Sequence, residues 1–81
     1  MLSDAKRIAR LMLEARKRSG QSQEELAERL NVSPRTVQRL ENAERAPTLD
    51  DFLEWYRALG MNWFRDVLRL ANPELYSVFD G

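Results

Sequence analysis

The stretch from residue 22 to residue 42 constrains the fold more than any other, because it carries start and stop signals for two short helices. Ser22 precedes Glu25 by three residues, a spacing typical of a capping box, in which each side chain satisfies a backbone N–H of the other. Asn31 predicts the end of that helix, since asparagine tolerates the left-handed conformation of a sharp turn. Ser33-Pro34 then predicts a second helix, with serine as cap and proline in the first helical position. We therefore expect two helices joined by a tight turn.

The second of these helices, residues 34–42, has two chemically different faces when each residue is advanced by about 100°. Val37 and Leu40 point to one side, which predicts a core face. The other side carries donors that suit base edges or phosphates: Arg35, Gln38, Arg39 and Asn42. A solvated helix surface has a similar composition, so the pattern alone leaves both interpretations open.

This spacing resembles the helix-turn-helix of Cro and the phage CI repressors, also called the XRE type. Counting from Gln23, a small residue stands fifth, where two helices must touch, an asparagine ninth in the turn, and apolar residues fifteenth and eighteenth in the core. These are Ala27, Asn31, Val37 and Leu40. The flanking sequences S-Q-E-E-L-A, R-L-E-N and A-P-T-L are also similar to this family. The resemblance runs from about Ile8 to Met61 and implies an all-α, five-helix, lambda-repressor-like DNA-binding domain, here with a short helical or extended C-terminal tail.

The resemblance implies that the helix at residues 34–42 enters the major groove of double-stranded DNA. We expect base contacts from Arg35, Thr36, Gln38 and Arg39. The family often has a glutamine or a similar donor where this chain has Pro34, so the operator sequence cannot be copied from relatives. Gln23 matches the family glutamine that binds a phosphate at a helix N-terminus. The full set of expected phosphate contacts is Gln23, Asn42, Ser22, Arg10 and Arg45.

Two charged residues predict a structural contact instead. Glu41 leans toward the Val37 side of its helix and Arg16 borders Met12, so each is expected to be partly buried and to need a partner. Similarity with CI-type repressors implies that Arg16 and Glu41 form an internal ion pair.

Charge and composition narrow the class of protein. Thirteen basic and thirteen acidic side chains cancel over the chain, so no overall field draws it onto nucleic acid. Residues 1–47 nevertheless hold ten basic against seven acidic side chains, a net charge of +3, while residues 48–81 hold three against six, a net charge of −3. With no cysteine and no histidine, the chain offers no thiolate, no imidazole base and no ordinary zinc site. We expect neither an enzyme nor a cofactor or metal.

The 81 residues suffice for one domain, and the longest apolar run, Leu11 to Leu13, is far too short to span a bilayer. We therefore expect a soluble cytoplasmic protein that does not associate with a membrane.

Supporting helices are predicted on both sides of the central stretch. An apolar stripe predicts a helix from Ser3 or Asp4 to about Arg18, ended by Gly20; its members are Ile8, Leu11, Met12 and Ala15. Thr48 and Asp51 predict a box-like start for another helix that ends at Gly60, with the stripe Leu49, Phe52, Tyr56 and Leu59. Trp55 flanks that stripe and is expected to pack. Leu13 lies outside the first stripe, and is either covered by the C-terminal segment or exposed.

The segment from residue 63 to residue 79 is more apolar than one buried face requires. Asn62 predicts the cap of a fifth helix, Trp63 to Ala71, whose apolar side chains cover an arc of roughly 160°. Phe64 stands where the family often has an acidic residue. We divide the chain into a helix-turn-helix domain, residues 1–71, and a tail, residues 72–81, that packs on its own core or on a second subunit. We expect a homodimer with the interface Phe64, Leu68, Leu75, Tyr76 and Phe79.

Together these features predict a sequence-specific DNA-binding transcriptional regulator, specifically a repressor that binds a two-fold operator as a homodimer, because one such helix contacts only a few base pairs. A phage regulator, a restriction-modification controller and an antitoxin would share the domain, and the sequence does not separate them. The alternative is a protein-interaction module, or antitoxin-type regulator, whose apolar 63–79 region binds a partner protein.

Overall fold

The computed structural model describes residues 3–71, which form five α-helices joined by short loops. They are α1 (Asp4–Ser19), α2 (Gln23–Leu30), α3 (Pro34–Glu41), α4 (Leu49–Leu59) and α5 (Phe64–Ala71). The prediction of an all-α fold with five helices is confirmed, although α5 begins one residue later than expected. Within the described residues, no helix has the length and apolar character needed to cross a membrane.

The starts of α2 and α4 and the ends of α1, α2 and α4 carry the capping residues that the sequence predicts. Ser22 Oγ accepts from the Glu25 backbone N–H at 3.0 Å, and the Glu25 carboxylate accepts from the Ser22 backbone N–H, also at 3.0 Å. Thr48 and Asp51 form the same reciprocal arrangement at the start of α4. The stop signals are equally local: Gly20, Asn31 and Gly60 each adopt a left-handed conformation at a helix end.

The core is centred on α4, whose buried face is shifted from the predicted stripe. Trp55 and Tyr56 are fully buried, and the Trp55 indole N–H donates to the Met12 backbone oxygen at 2.9 Å. The packing of Trp55 is therefore confirmed. The prediction for Leu49 is wrong, because its side chain is 72% exposed. Leu49 begins α4, before the turns where Phe52, Trp55 and Tyr56 form the face buried against α1 and α2.

A buried carboxylate that the sequence analysis did not identify anchors α5. Asp66 is only 5% exposed, and its Oδ2 accepts from the Tyr56 hydroxyl at 2.5 Å and from Arg18 Nη2 at 2.8 Å. Arg7 Nη2 adds a bond to the Leu70 backbone oxygen at 2.8 Å. The most buried residue of this helix is thus acidic. Its burial is possible because Tyr56 and Arg18 supply hydrogen-bond donors to the carboxylate.

The apolar residues predicted to line α5 divide into two groups. Val67, Leu68 and Leu70 are half-buried, whereas Phe64 is 56% exposed and Trp63, which precedes the helix, is 41% exposed. The tail, including Leu75, Tyr76 and Phe79, lies outside the described residues. Leu13, for which the sequence leaves open coverage by the C-terminal segment or full exposure, is half-buried.

Candidate DNA interface

The turn between α2 and α3 fixes the orientation of the helix that carries the candidate base contacts. Asn31 has φ 59° and ψ 44°, and the Val32 backbone N–H donates to the Ala27 oxygen at 3.0 Å. The two helices pack through side chains with almost no exposure: Leu26, Ala27, Val37 and Leu40. Ala27 leaves room for the close approach, and the buried Val37 and Leu40 prevent α3 from rotating about its own axis. The opposite face of α3 is consequently held toward solvent.

Three of the four predicted base contacts share that exposed face. Arg35, Gln38 and Arg39 are exposed, whereas Thr36 is half-buried and its hydroxyl lies 3.1 Å from Ser33 Oγ. Arginine and glutamine present several N–H donors on flexible stems, which suits bidentate contacts with base edges. The face is therefore chemically able to interact with a DNA groove, with Thr36 at its margin.

A polar cleft of about 280 Å³ lies beside the C-terminal half of α3. Its lining residues are Thr36, Arg39, Glu44 and Arg45. The loop that carries the last two follows Ala43, whose φ of 56° is unusual for a residue with a Cβ atom and costs about 1–2 kcal/mol. This turn is closed by the Glu44 backbone N–H, which donates to the Arg39 oxygen at 3.0 Å. The loop thereby brings Arg45, a predicted phosphate contact, next to two predicted base contacts.

The predicted ion pair is present and joins α1 to α3. Arg16 Nε donates to Glu41 Oε2 at 2.5 Å and Arg16 Nη2 donates to Oε1 at 3.2 Å, with side chains only 11% and 2% exposed. Arg16 Nη1 also donates to the Gln21 backbone oxygen at 3.0 Å. The guanidinium therefore connects the end of α1, the loop before α2 and the end of α3.

Gln23 belongs to the same network, which the sequence did not reveal. Its Nε2 donates to Glu41 Oε1 at 2.8 Å. A side-chain amide has a second N–H, so this bond leaves one donor for a phosphate. Glu41 thus orients an amide at the N-terminus of α2, where backbone N–H groups and the helix dipole favour an anion.

The remaining predicted phosphate contacts lie in α1, at the start of α2, at the end of α3 and in the loop that follows α3. Ser22 caps α2 with its hydroxyl, Arg10 is exposed on α1, and Asn42 is exposed at the C-terminal end of α3. Arg45 is exposed and paired with Asp51. These four residues and Gln23 are the predicted phosphate contacts.

The described part of the chain contains no group of three or more acidic side chains placed to hold a metal ion. The chemistry available at the α3 face and the cleft is hydrogen bonding and charge.

A helix-turn-helix family model matches residues 12–63, a range that includes the C-terminal half of α1 and all of α2, α3 and α4. No curated protein and no solved structure matches the chain. The matched range contains the capped α2, the left-handed turn and the exposed face of α3.

Proposed function

The chain belongs to the XRE, or Cro/CI-type, helix-turn-helix family of DNA-binding transcription regulators, and from this premise we propose that it is a sequence-specific repressor acting on a two-fold operator. The observation that supports the proposal best is the exposed α3 face with Arg35, Gln38 and Arg39, held outward by the buried Val37 and Leu40. In this proposal α3 lies in the major groove, and the protein is not an enzyme.

Charge supports the same orientation. The chain is neutral overall, but residues 1–47, which contain α2, α3 and the cleft, carry a net +3, and residues 48–81 carry a net −3. In this proposal the basic first part of the chain, which contains α2 and α3, contacts the DNA. Selection of bound sequences from a random DNA pool tests the proposal, and a palindromic consensus is the expected result. Recovery of no preferred sequence would contradict sequence-specific binding.

Arg39→Ala is expected to weaken operator binding by about 1–3 kcal/mol and to relax preference at one base pair, because arginine pairs bidentately with guanine. Gln23→Ala should instead weaken all sequences to a similar degree, since a phosphate contact carries no base information. Fluorescence anisotropy with operator and with single-base variants measures both effects. Arg57→Ala, which removes an exposed arginine from α4, is the matched control and should bind as wild type does. Wild-type affinity and specificity in Arg39→Ala would mean that α3 does not read the DNA.

We also propose that the protein is a homodimer held by the 63–79 region. Trp63 and Phe64 are exposed and contact one another edge to face, with ring centroids 6.0 Å apart, and Leu68 is half-buried on α5. Exposed neighbouring aromatic side chains are typical of interfaces. A second subunit would place a second α3 about 34 Å away, the distance between successive major-groove faces.

The double substitution Phe64→Glu/Leu68→Glu is expected to convert the dimer to a monomer, because two carboxylates would have to be desolvated in the interface. Light scattering at tens of micromolar measures the mass, and circular dichroism checks that the helices persist. Val32→Glu places a carboxylate at another exposed apolar residue, outside α5, and should leave the mass unchanged. A wild-type protein that is already monomeric under these conditions would overturn the dimer proposal.

The exposed aromatic pair favours one second candidate function, a protein-interaction module or antitoxin-type regulator that uses the same region to bind a partner protein. The two candidates differ in their response to salt. Binding of wild type to mixed-sequence DNA that falls steeply as salt increases supports the DNA-binding function, because phosphate contacts release counterions. A failure to bind DNA even at low salt would favour the interaction module.

A further inference from the structure

We propose that Asp51 is a positioning residue for DNA binding, which holds the Arg45 guanidinium at the cleft beside α3 for contact with a backbone phosphate. This inference rests on the proposed DNA-binding function and adds to it a residue outside the two helices of the helix-turn-helix. Asp51 is acidic and lies in α4, so neither its charge nor its element suggests contact with DNA.

The carboxylate of Asp51 is itself firmly placed. Its Oδ2 accepts from the Thr48 backbone N–H at 2.9 Å, while Thr48 Oγ1 accepts from the Asp51 backbone N–H at 3.0 Å. The Asp51 side chain is only 17% exposed. Partial burial raises the pKa of Asp51, but the hydrogen bonds from Thr48 and Arg45 together lower it by more. The pKa of Asp51 is therefore below its ordinary value. The group is therefore a fixed anion at the first turn of α4.

Arg45 binds Asp51 through one nitrogen of its guanidinium, and the other two nitrogens can bind another ligand. Its Nη2 donates to both Asp51 oxygens, at 3.0 Å each, and the side chain is 52% exposed. An arginine has five N–H donors in a planar fork, so Nη1 and Nε retain donors for a second anion. Because Arg45 lines the same cleft as Thr36 and Arg39, a phosphate at the cleft would be adjacent to the residues proposed to contact bases.

Stability alone does not account for this pair. Because the Arg45 side chain is 52% exposed, water screens the attraction between its charge and that of Asp51, and the pair contributes little to folding. Ordering a long side chain during binding, by contrast, opposes association, and a side chain that is already ordered avoids that cost. Asp51 thus keeps Arg45 ordered at the cleft.

The test compares Asp51→Asn with Asp50→Asn on a mixed-sequence duplex of about 20 base pairs at low salt, measured by fluorescence anisotropy. Both substitutions remove one negative charge from the first turn of α4, and Asp50 is exposed. Asp50→Asn should bind as wild type or slightly more tightly, because a repulsive charge is lost. Asp51→Asn should bind about three- to tenfold more weakly than Asp50→Asn, since Arg45 must then be ordered on binding. Asp51→Glu, which retains the carboxylate, should recover part of the loss.

Two further variants separate positioning from a structural role. Thr48→Ala removes the cap of α4 but leaves the carboxylate of Asp51, so it should lower the melting temperature without the same loss of DNA affinity. In an Arg45→Ala background, Asp51→Asn and Asp50→Asn should become equivalent, because there is no guanidinium to position. Equal affinities for the two aspartate variants in the wild-type background, or a difference that persists without Arg45, would overturn the proposal. A wild-type protein that binds no DNA would overturn the proposed function as well, and is recognised before any variant is made.

Discussion

Glu41→Ala is expected to lower the free energy of unfolding by about 3–5 kcal/mol, the largest effect of any substitution considered for this protein. The side chain of Glu41 is 2% exposed and accepts hydrogen bonds from both Arg16 and Gln23. Its removal leaves the Arg16 guanidinium, 11% exposed, without its carboxylate partner in a poorly solvated position. Chemical denaturation followed by circular dichroism measures the change.

Two controls distinguish loss of the pair from loss of a carboxylate. Glu44→Ala, three residues further along and exposed, should change the free energy of unfolding by less than about 0.5 kcal/mol. Replacing both partners, as in Arg16→Met/Glu41→Leu, should recover much of the stability, because no buried charge then lacks a partner. DNA affinity of the double variant should remain reduced if Glu41 orients Gln23 toward a phosphate. An unfolding free energy unchanged by Glu41→Ala would show that the network does not hold α1 to α3.

Asp66→Ala is expected to cost about 2–4 kcal/mol, because the buried Tyr56 hydroxyl loses its closest acceptor and α5 loses the hydrogen bonds that Asp66 accepts from α1 and α4. The Arg18 partner is 44% exposed, so its loss of a carboxylate contributes less than the loss at Tyr56. Asp66→Asn retains an acceptor for the hydroxyl and should cost less than Asp66→Ala. Tryptophan fluorescence during denaturation measures both variants, since Trp55 is fully buried beside Tyr56.

The contact between Tyr56 and Asp66 also predicts that the stability of the protein decreases at alkaline pH. Burial, and then the hydrogen bond to Asp66, raise the pKa of Tyr56 well above its ordinary value of 10.0. Because the folded-state pKa is the higher one, this contribution to stability is complete below pH 10 and decreases as the pH rises above it. Tyr56→Phe should therefore flatten the loss of stability above pH 10. If the free energy of unfolding depended on pH in the same way in wild type and Tyr56→Phe, and Asp66→Ala were as stable as wild type, this contact would not be buried in solution.

Local signals in the sequence determined most of the helix boundaries and the family. Capping residues act within three or four positions, so Ser22 with Glu25, Thr48 with Asp51, and the left-handed Asn31 and Gly60 could be read without any knowledge of the tertiary fold. The pattern around Val37 and Leu40 likewise identified the exposed face of α3, because a helix places residues on a face by their spacing alone. Arg16 and Glu41 were found by combining that spacing with the family resemblance.

Apart from the pair of Arg16 and Glu41, only the tertiary structure decided which side chains far apart in the chain share a buried environment. Asp66 is 48 residues from Arg18, and no local pattern indicates that Tyr56 and Arg18 would supply donors to it. Leu49 belonged to an apolar stripe and is nevertheless exposed, since burial depends on the neighbouring helices and not on periodicity. The bond from Gln23 to Glu41 has the same origin. Periodicity specifies the direction of a side chain relative to its own helix, whereas its partners depend on how the helices pack.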